Sequence, residues 1–139
     1  MVEKAHLVSK VLVHDSNPDH FKQIKTFCDN NNLIGVCTHN QNIMEVLGSN
    51  IDLGAILLSE STSDDPMGGI MLGLEIHELR PELPIFLRRE NKTSLEDLDV
   101  GTQRAFAAGY QIDTIDKLKP HLDEYIFSLY YPSVLVRGI

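Results

Sequence analysis

The chain has 139 residues, 42 % hydrophobic and 23 % charged, a balance that suits one domain with a single packed core and excludes a disordered chain. Its formal net charge of −8 argues against a nucleic-acid or anionic-membrane surface, because only the doublet Arg88-Arg89 stands out as basic. No apolar run approaches a membrane span, the N-terminus lacks the apolar core of a signal peptide, and Cys28 and Cys37 form neither a metal spacing nor a disulfide framework.

A cytoplasmic protein is therefore expected, with the two cysteines as small buried apolar residues. Residues 10–14 (KVLVH) read as a β-branched strand, and residues 15–18 (DSNP) supply turn and helix-start chemistry. Phe21, Ile24, Phe27 and Cys28 recur at helical spacing until the polar run at 29–32. A second strand is expected at 33–38 and a short helix at 40–47, with Ile43, Val46 and Leu47 on one face and Gly48 as its stop. Residues 54–59 (GAILLS) form a third strand, almost entirely apolar and ending on Ser59.

A polar loop at 60–69 leads into a helix with Leu72, Ile76 and Leu79 on its apolar side, and a fourth strand follows at 83–87. Residues 93–105 begin with a Ser/Thr cap and an acidic first turn, as a helix does. A fifth strand is expected at 106–112. The last helix begins at Asp113 or Asp116 and runs to 130. The later start is preferred, because it places Pro120 in the first turn, where a missing N–H is tolerated.

The alternation is (βα)₅. The third strand is apolar on both alternating sets of residues, so helices should cover both of its faces. Right-handed crossovers then give an α/β doubly wound parallel sheet of flavodoxin type, order 2-1-3-4-5. Residues 1–130 are expected to be one domain, and the apolar tail 131–139, with Leu135, the start of a link to a further domain or a partner contact.

In this fold chemistry belongs at the carboxyl ends of the strands. The strand order and the opening KVLVHDSNPDH resemble the response-regulator receiver family. That resemblance implies an acidic pair after strand one for Mg²⁺, a phosphoacceptor aspartate after strand three, a Ser/Thr after strand four and a lysine after strand five. The corresponding positions here are His14 and Asp15, Ser59, Arg88, and the stretch 113–116 beginning at Asp113. A lone Asp15 makes a poor Mg²⁺ cage, and phosphoryl transfer rests on positioning and charge neutralisation that these residues do not supply. Ser59 could act as a nucleophile only if His14 served as its base. A strand-terminal turn former is the simpler reading. No catalytic residue, metal or cofactor is expected in the chain, and the five positions form a degenerate receiver pocket.

The back half resembles a second family. Leu83-Pro84, the Leu/Asp-rich stretch 95–99, the run DEYI at 123–126 and Pro132 are similar to the receiver-like N-terminal wing domain of bacterial ornithine/lysine/arginine decarboxylases. Tyr131-Pro132 stands where that family usually has a Pro-Pro pair. This resemblance implies a noncatalytic domain serving oligomerisation of a pyridoxal-phosphate enzyme, with the cofactor bound in later domains. The alternative is a pseudo-receiver, a signalling module that binds protein partners without being phosphorylated. Both make the chain an interaction domain, with protein partners or self-association, and neither makes it an enzyme. Tyr125, Tyr130 and Leu135 would carry contacts in a wing, and Tyr110 would lie near those of a pseudo-receiver.

Overall fold

Seven consecutive buried residues, Leu53–Ser59, form strand β3 at the centre of the sheet. The computed structural model of the chain describes residues 9–15, 17–37, 43–49, 53–61 and 68–130, the side chains at 9, 37 and 125–130 excepted. The elements in chain order are β1 (Ser9–His14), α1 (Pro18–Asn30), β2 (Leu33–Cys37), α2 (Ile43–Ser49), β3, α3 (Gly68–Leu79), β4 (Ile85–Arg88), α4 (Val100–Gln103), β5 (Ala108–Tyr110) and α5 (Lys119–Tyr130). All strand pairs are parallel, in the order β2-β1-β3-β4-β5. This is the doubly wound sheet expected from the sequence.

Alternation along the strands sorts the core into two layers. Leu12, Ile56, Leu58, Ile85 and Leu87 face one side, with Ile43 and Leu47 of α2 and Ile70 and Ile76 of α3. Val11, Val13, Ala55, Leu57 and Phe86 face the other, with Ile24, Phe27 and Cys28 of α1 and Leu122 of α5. Both layers meet on β3, which explains why its sequence carries no polar alternation.

Local chemistry fixes the helix that follows β1. Asn17 caps α1, its side chain accepting from the amides of Asp19 at 2.9 Å and His20 at 3.3 Å, with Pro18 at the first helical position. Asn31 Nδ2 donates to the Phe27 carbonyl at 2.7 Å, and Asn32 turns the chain with φ of 57°.

Four expectations change. The buried ridge of α3 is Gly69, Ile70, Gly73 and Ile76, while Leu79 is 58 % exposed. Gly73 is there for the Phe106 ring, which would meet any Cβ at that position. The helix expected over 93–105 is only the four residues of α4, capped by Asp99 through Thr102 N at 2.8 Å. Strand β5 has three residues rather than seven.

The last helix starts at neither Asp113 nor Asp116. A 3₁₀ segment, Ile112–Leu118, breaks at Thr114, and α5 begins at Lys119 with Pro120 second. The proline sits in the first turn, as preferred, but of a helix that begins later still. Tyr125 and Tyr130 belong to α5 with side chains outside the description. Leu135 and the tail 131–139 lie outside the described residues.

Candidate functional site at the strand ends

Strand register sets one row of residues across the carboxyl end of the sheet. Ser59 pairs with Arg88, and Arg88 pairs with Tyr110. His14 pairs with Leu58, so Asp15, the next residue, comes level with Ser59. Asp15, Ser59, Arg88 and Tyr110 continue the alternation of Val13, Leu57, Phe86 and Ala108, and all four stand on the α1/α5 face.

The Arg88 guanidinium lies along this row. Its Nε donates to Asp15 Oδ2, and Nη2 donates to Asp15 Oδ1 at 3.1 Å and to Ser59 Oγ at 2.9 Å. Its Nη1 donates to Glu90 Oε1 at 3.3 Å. The Arg88 and Asp15 side chains are 2 % and 1 % exposed. Two parallel N–H···O bonds to one carboxylate are the strongest geometry available to an arginine. Asp15 also accepts from the amide of Asn17 at 3.0 Å, which ties the pair to the cap of α1. Burial alone would depress the Arg88 guanidinium. The hydrogen bonds and charge of Asp15, with Glu90 adding, outweigh it and hold the group above the ordinary arginine range.

Arg89 points the other way and fastens the loop after β4. It donates to Glu60 Oε2 at 3.0 Å, to the Ser94 carbonyl at 2.8 Å and to both Asp97 oxygens at 2.9 and 2.6 Å. Glu60 Oε1 accepts from the amide of Glu90 at 2.6 Å, so the ends of β3 and β4 share one ion-pair network. This network stands where helix was expected over residues 93–99: Arg89 takes the Ser94 carbonyl and the Asp97 carboxylate, and the backbone between makes a turn, Leu98 N donating to the Leu95 carbonyl at 3.0 Å. Both arginines are engaged internally, Arg88 with Asp15 and Glu90 and Arg89 with Glu60 and Asp97.

The degenerate receiver pocket expected from the sequence divides in three. Asp15, Ser59 and Arg88 are in direct contact. His14 is 6 % exposed, but alternation puts it on the face of Leu12 and Leu58, opposite to Ser59. The Ser59 hydroxyl donates to the Ser61 carbonyl at 3.0 Å, so its proton is already committed. A Ser59–His14 nucleophile pair is not what this geometry builds. Asp113 is exposed in the 3₁₀ segment that follows β5.

Tyr110 requires a correction. As a candidate surface residue it should be exposed, but its side chain is 3 % exposed and its hydroxyl has no hydrogen-bond partner among the described residues. Burial first, and the Asp15 charge second, push its phenol far above the ordinary tyrosine range. A groove of about 320 Å³ does run beside β5, bounded by Thr93, Gly109, Gln111, Lys117 and His121. Tyr110 contributes to its wall, not to an exposed contact.

Sequence reading missed Glu60 and Arg89 as one unit, and it missed why α3 opens on two glycines. A methyl group on Gly69 would overlap the Ser59 carbonyl, while Gly69 N donates to the Glu60 carbonyl at 3.1 Å. The start of α3 is thus pressed onto the end of β3, and the glycine pair in the sequence was the available signal.

A divalent cation, which the receiver resemblance implies for this position, does not fit the residues present. Hard cations need free oxygen ligands, and both Asp15 oxygens are held by a positive guanidinium. Among the described residues no group of three or more His, Cys, Asp or Glu is arranged to hold a metal ion. No helix among them is long and apolar enough to cross a membrane.

No protein-family model and no curated protein matches the sequence. Solved structures do match in fold. A response regulator receiver domain protein from Clostridium thermocellum aligns with a TM-score of 0.70 at 11 % identity, over 86 % of this chain and 94 % of its own. The receiver domain of the Francisella response regulator 1452 gives 0.69 at 18 % identity, over 85 % and 96 %. A sensor protein from Polaromonas sp. JS666 gives 0.67 at 15 % identity, over 85 % and 95 %. The chain therefore has the receiver fold.

Proposed function

We propose that the chain is a noncatalytic pseudo-receiver, a receiver-fold domain that acts through protein contacts and accepts no phosphoryl group. The observation that carries this reading is the Arg88 guanidinium held between Asp15 and Ser59. A phosphoryl acceptor needs an available nucleophile and a cation to neutralise the transferred group. Here the acceptor position is a hydroxyl with a committed proton, and the carboxylate beside it is neutralised from within. The remaining asset of such a domain is its surface, with a protein partner or a second copy as the ligand. A cytoplasmic, bacterial signalling context goes with this reading.

Incubation with an acyl phosphate and Mg²⁺ tests it by intact mass. The expected result is an unchanged 15.6 kDa chain. A stable phosphate on Ser59 would overturn the reading.

A second reading rests on the back half of the sequence. Leu83-Pro84, the stretch 95–99, the run at 123–126 and Pro132 favour an N-terminal wing domain of an ornithine/lysine/arginine-type decarboxylase. In that case the domain serves oligomerisation, residues 131–139 lead to a further domain, and pyridoxal phosphate belongs there. The mass and visible absorption of the native protein separate the two readings. A much larger, yellow protein favours the wing, and a colourless one near 15.6 kDa favours the pseudo-receiver.

A further inference from the structure

We infer that Arg88 is a built-in ligand: the strand-end pocket is shaped for its guanidinium, which closes the pocket to external cations and fixes the domain in one constitutive conformation. The inference rests on the pseudo-receiver reading and adds what occupies the site.

Three observations carry it. The first is fit. The guanidinium is planar with five N–H donors, and four hydrogen bonds run from it to Asp15, Ser59 and Glu90. Asp15 takes two of them on its two oxygens, a match of fork to carboxylate that a spherical ion or an ammonium does not reproduce.

The second is burial. Asp15 at 1 % exposure would be an uncompensated charge without Arg88, and a carboxylate in that setting demands a counter-ion. Tyr110, paired with Arg88 in register and within reach of the charges of both Asp15 and Arg88, is buried too, its hydroxyl without a hydrogen-bond partner among the described residues.

The third is connection. Arg88 spans β4 to β1 across β3, and Asp15 continues into the cap of α1 through Asn17. Glu90, the outer partner of Arg88, accepts from Gln111 through its carbonyl at 3.4 Å and donates its amide to Glu60. One guanidinium thus joins strand ends that an exchangeable ligand would join only while bound. A covalently tethered ligand has no off-state, so the surface above it has no liganded and unliganded forms to choose between.

Removing the side chain should leave a guanidinium-shaped vacancy that a small guanidinium compound can refill. In thermal unfolding, wild type should be unmoved by millimolar Mg²⁺ and by methylguanidinium. Arg88→Ala should lose roughly 10 °C in Tm, the scale expected for breaking a buried ion pair in a domain this size. Millimolar methylguanidinium should then raise the Tm of Arg88→Ala by several degrees, by mass action on the folded state, whereas methylammonium and Mg²⁺ should not.

A folded Arg88→Ala that ignores methylguanidinium overturns the inference, as does an equal response to Mg²⁺. Should Arg88→Ala be too unstable to measure, Asp15→Asn/Arg88→Met carries the test. With both charges gone it should fold with a Tm nearer wild type and ignore methylguanidinium. A double variant as unstable as the single one, or equally rescued, overturns the assignment. Phosphate incorporation by wild type would instead overturn the pseudo-receiver reading, and the mass measurement detects it independently of the rescue.

Discussion

Tyr110 is the residue at which local chemistry and tertiary setting disagree most. A phenol hydroxyl buried without a partner is destabilising by about 1–3 kcal/mol, so Tyr110→Phe should leave stability equal or raise it by about 1 kcal/mol in urea unfolding. A loss of that size would mean that the hydroxyl does have a partner. Burial and the Asp15 charge raise this phenol above its unfolded value. Its contribution to stability is therefore complete below the ordinary tyrosine range, and falls away as pH rises past it. Phenolate absorbance should accordingly be the same in wild type and Tyr110→Phe until alkaline unfolding begins. Earlier ionisation of an extra tyrosine in wild type would refute this. Nothing in the sequence around residue 110 distinguishes a buried from an exposed tyrosine, because its neighbours Gly109 and Gln111 suit an edge strand equally.

At the scale of elements, the segment from 89 to 99 shows how an ion pair can replace a helix. Residues 93–105 carry a Ser/Thr cap and an acidic first turn, yet helix forms only at Val100–Gln103. Helix propensity over a few residues is worth tenths of a kcal/mol each, whereas Arg89 is 4 % exposed and must find acceptors. It finds them in Ser94 and Asp97, and the backbone between follows. The hydrogen bonds from Arg89 hold the Asp97 carboxyl well below the usual carboxylate range, against some desolvation, with the charges of Arg89 and Lys92 adding. A depressed carboxylate stabilises the fold above its unfolded pKa, near 4, and the contribution disappears as pH falls below that. Asp97→Asn should therefore be less stable than wild type at neutral pH, with the difference narrowing on acidification. A difference that stayed constant under acid would remove Asp97 from the clasp.

For the molecule as a whole, β3 is where the two core layers are joined. Leu57 belongs to the α1/α5 layer and Leu58 to the α2/α3 layer, and both are fully buried. Leu57→Ala and Leu58→Ala should each destabilise by about 2–5 kcal/mol, and each should still unfold in one transition, since neither layer exists without the strand. Separate transitions seen by two optical probes would contradict that coupling. The sequence by itself determined the alternation of elements, and with it the sheet: apolar period and turn chemistry are local, and the handedness of crossovers leaves few topologies. It also determined which residues reach the strand ends, because Asp15, Ser59 and Arg88 terminate or follow strands whose lengths were readable. What they do there was decided by tertiary structure alone. Register brings Ser59, Arg88 and Tyr110 level across three strands, side-chain alternation turns His14 to the opposite face, and a guanidinium long enough to cross β3 reaches a carboxylate 73 residues away. Such pairings depend on distances between strands that no local pattern encodes, so a doublet of arginines in the sequence became, in the fold, one guanidinium that fills the pocket from within and another that fastens the loop after β4.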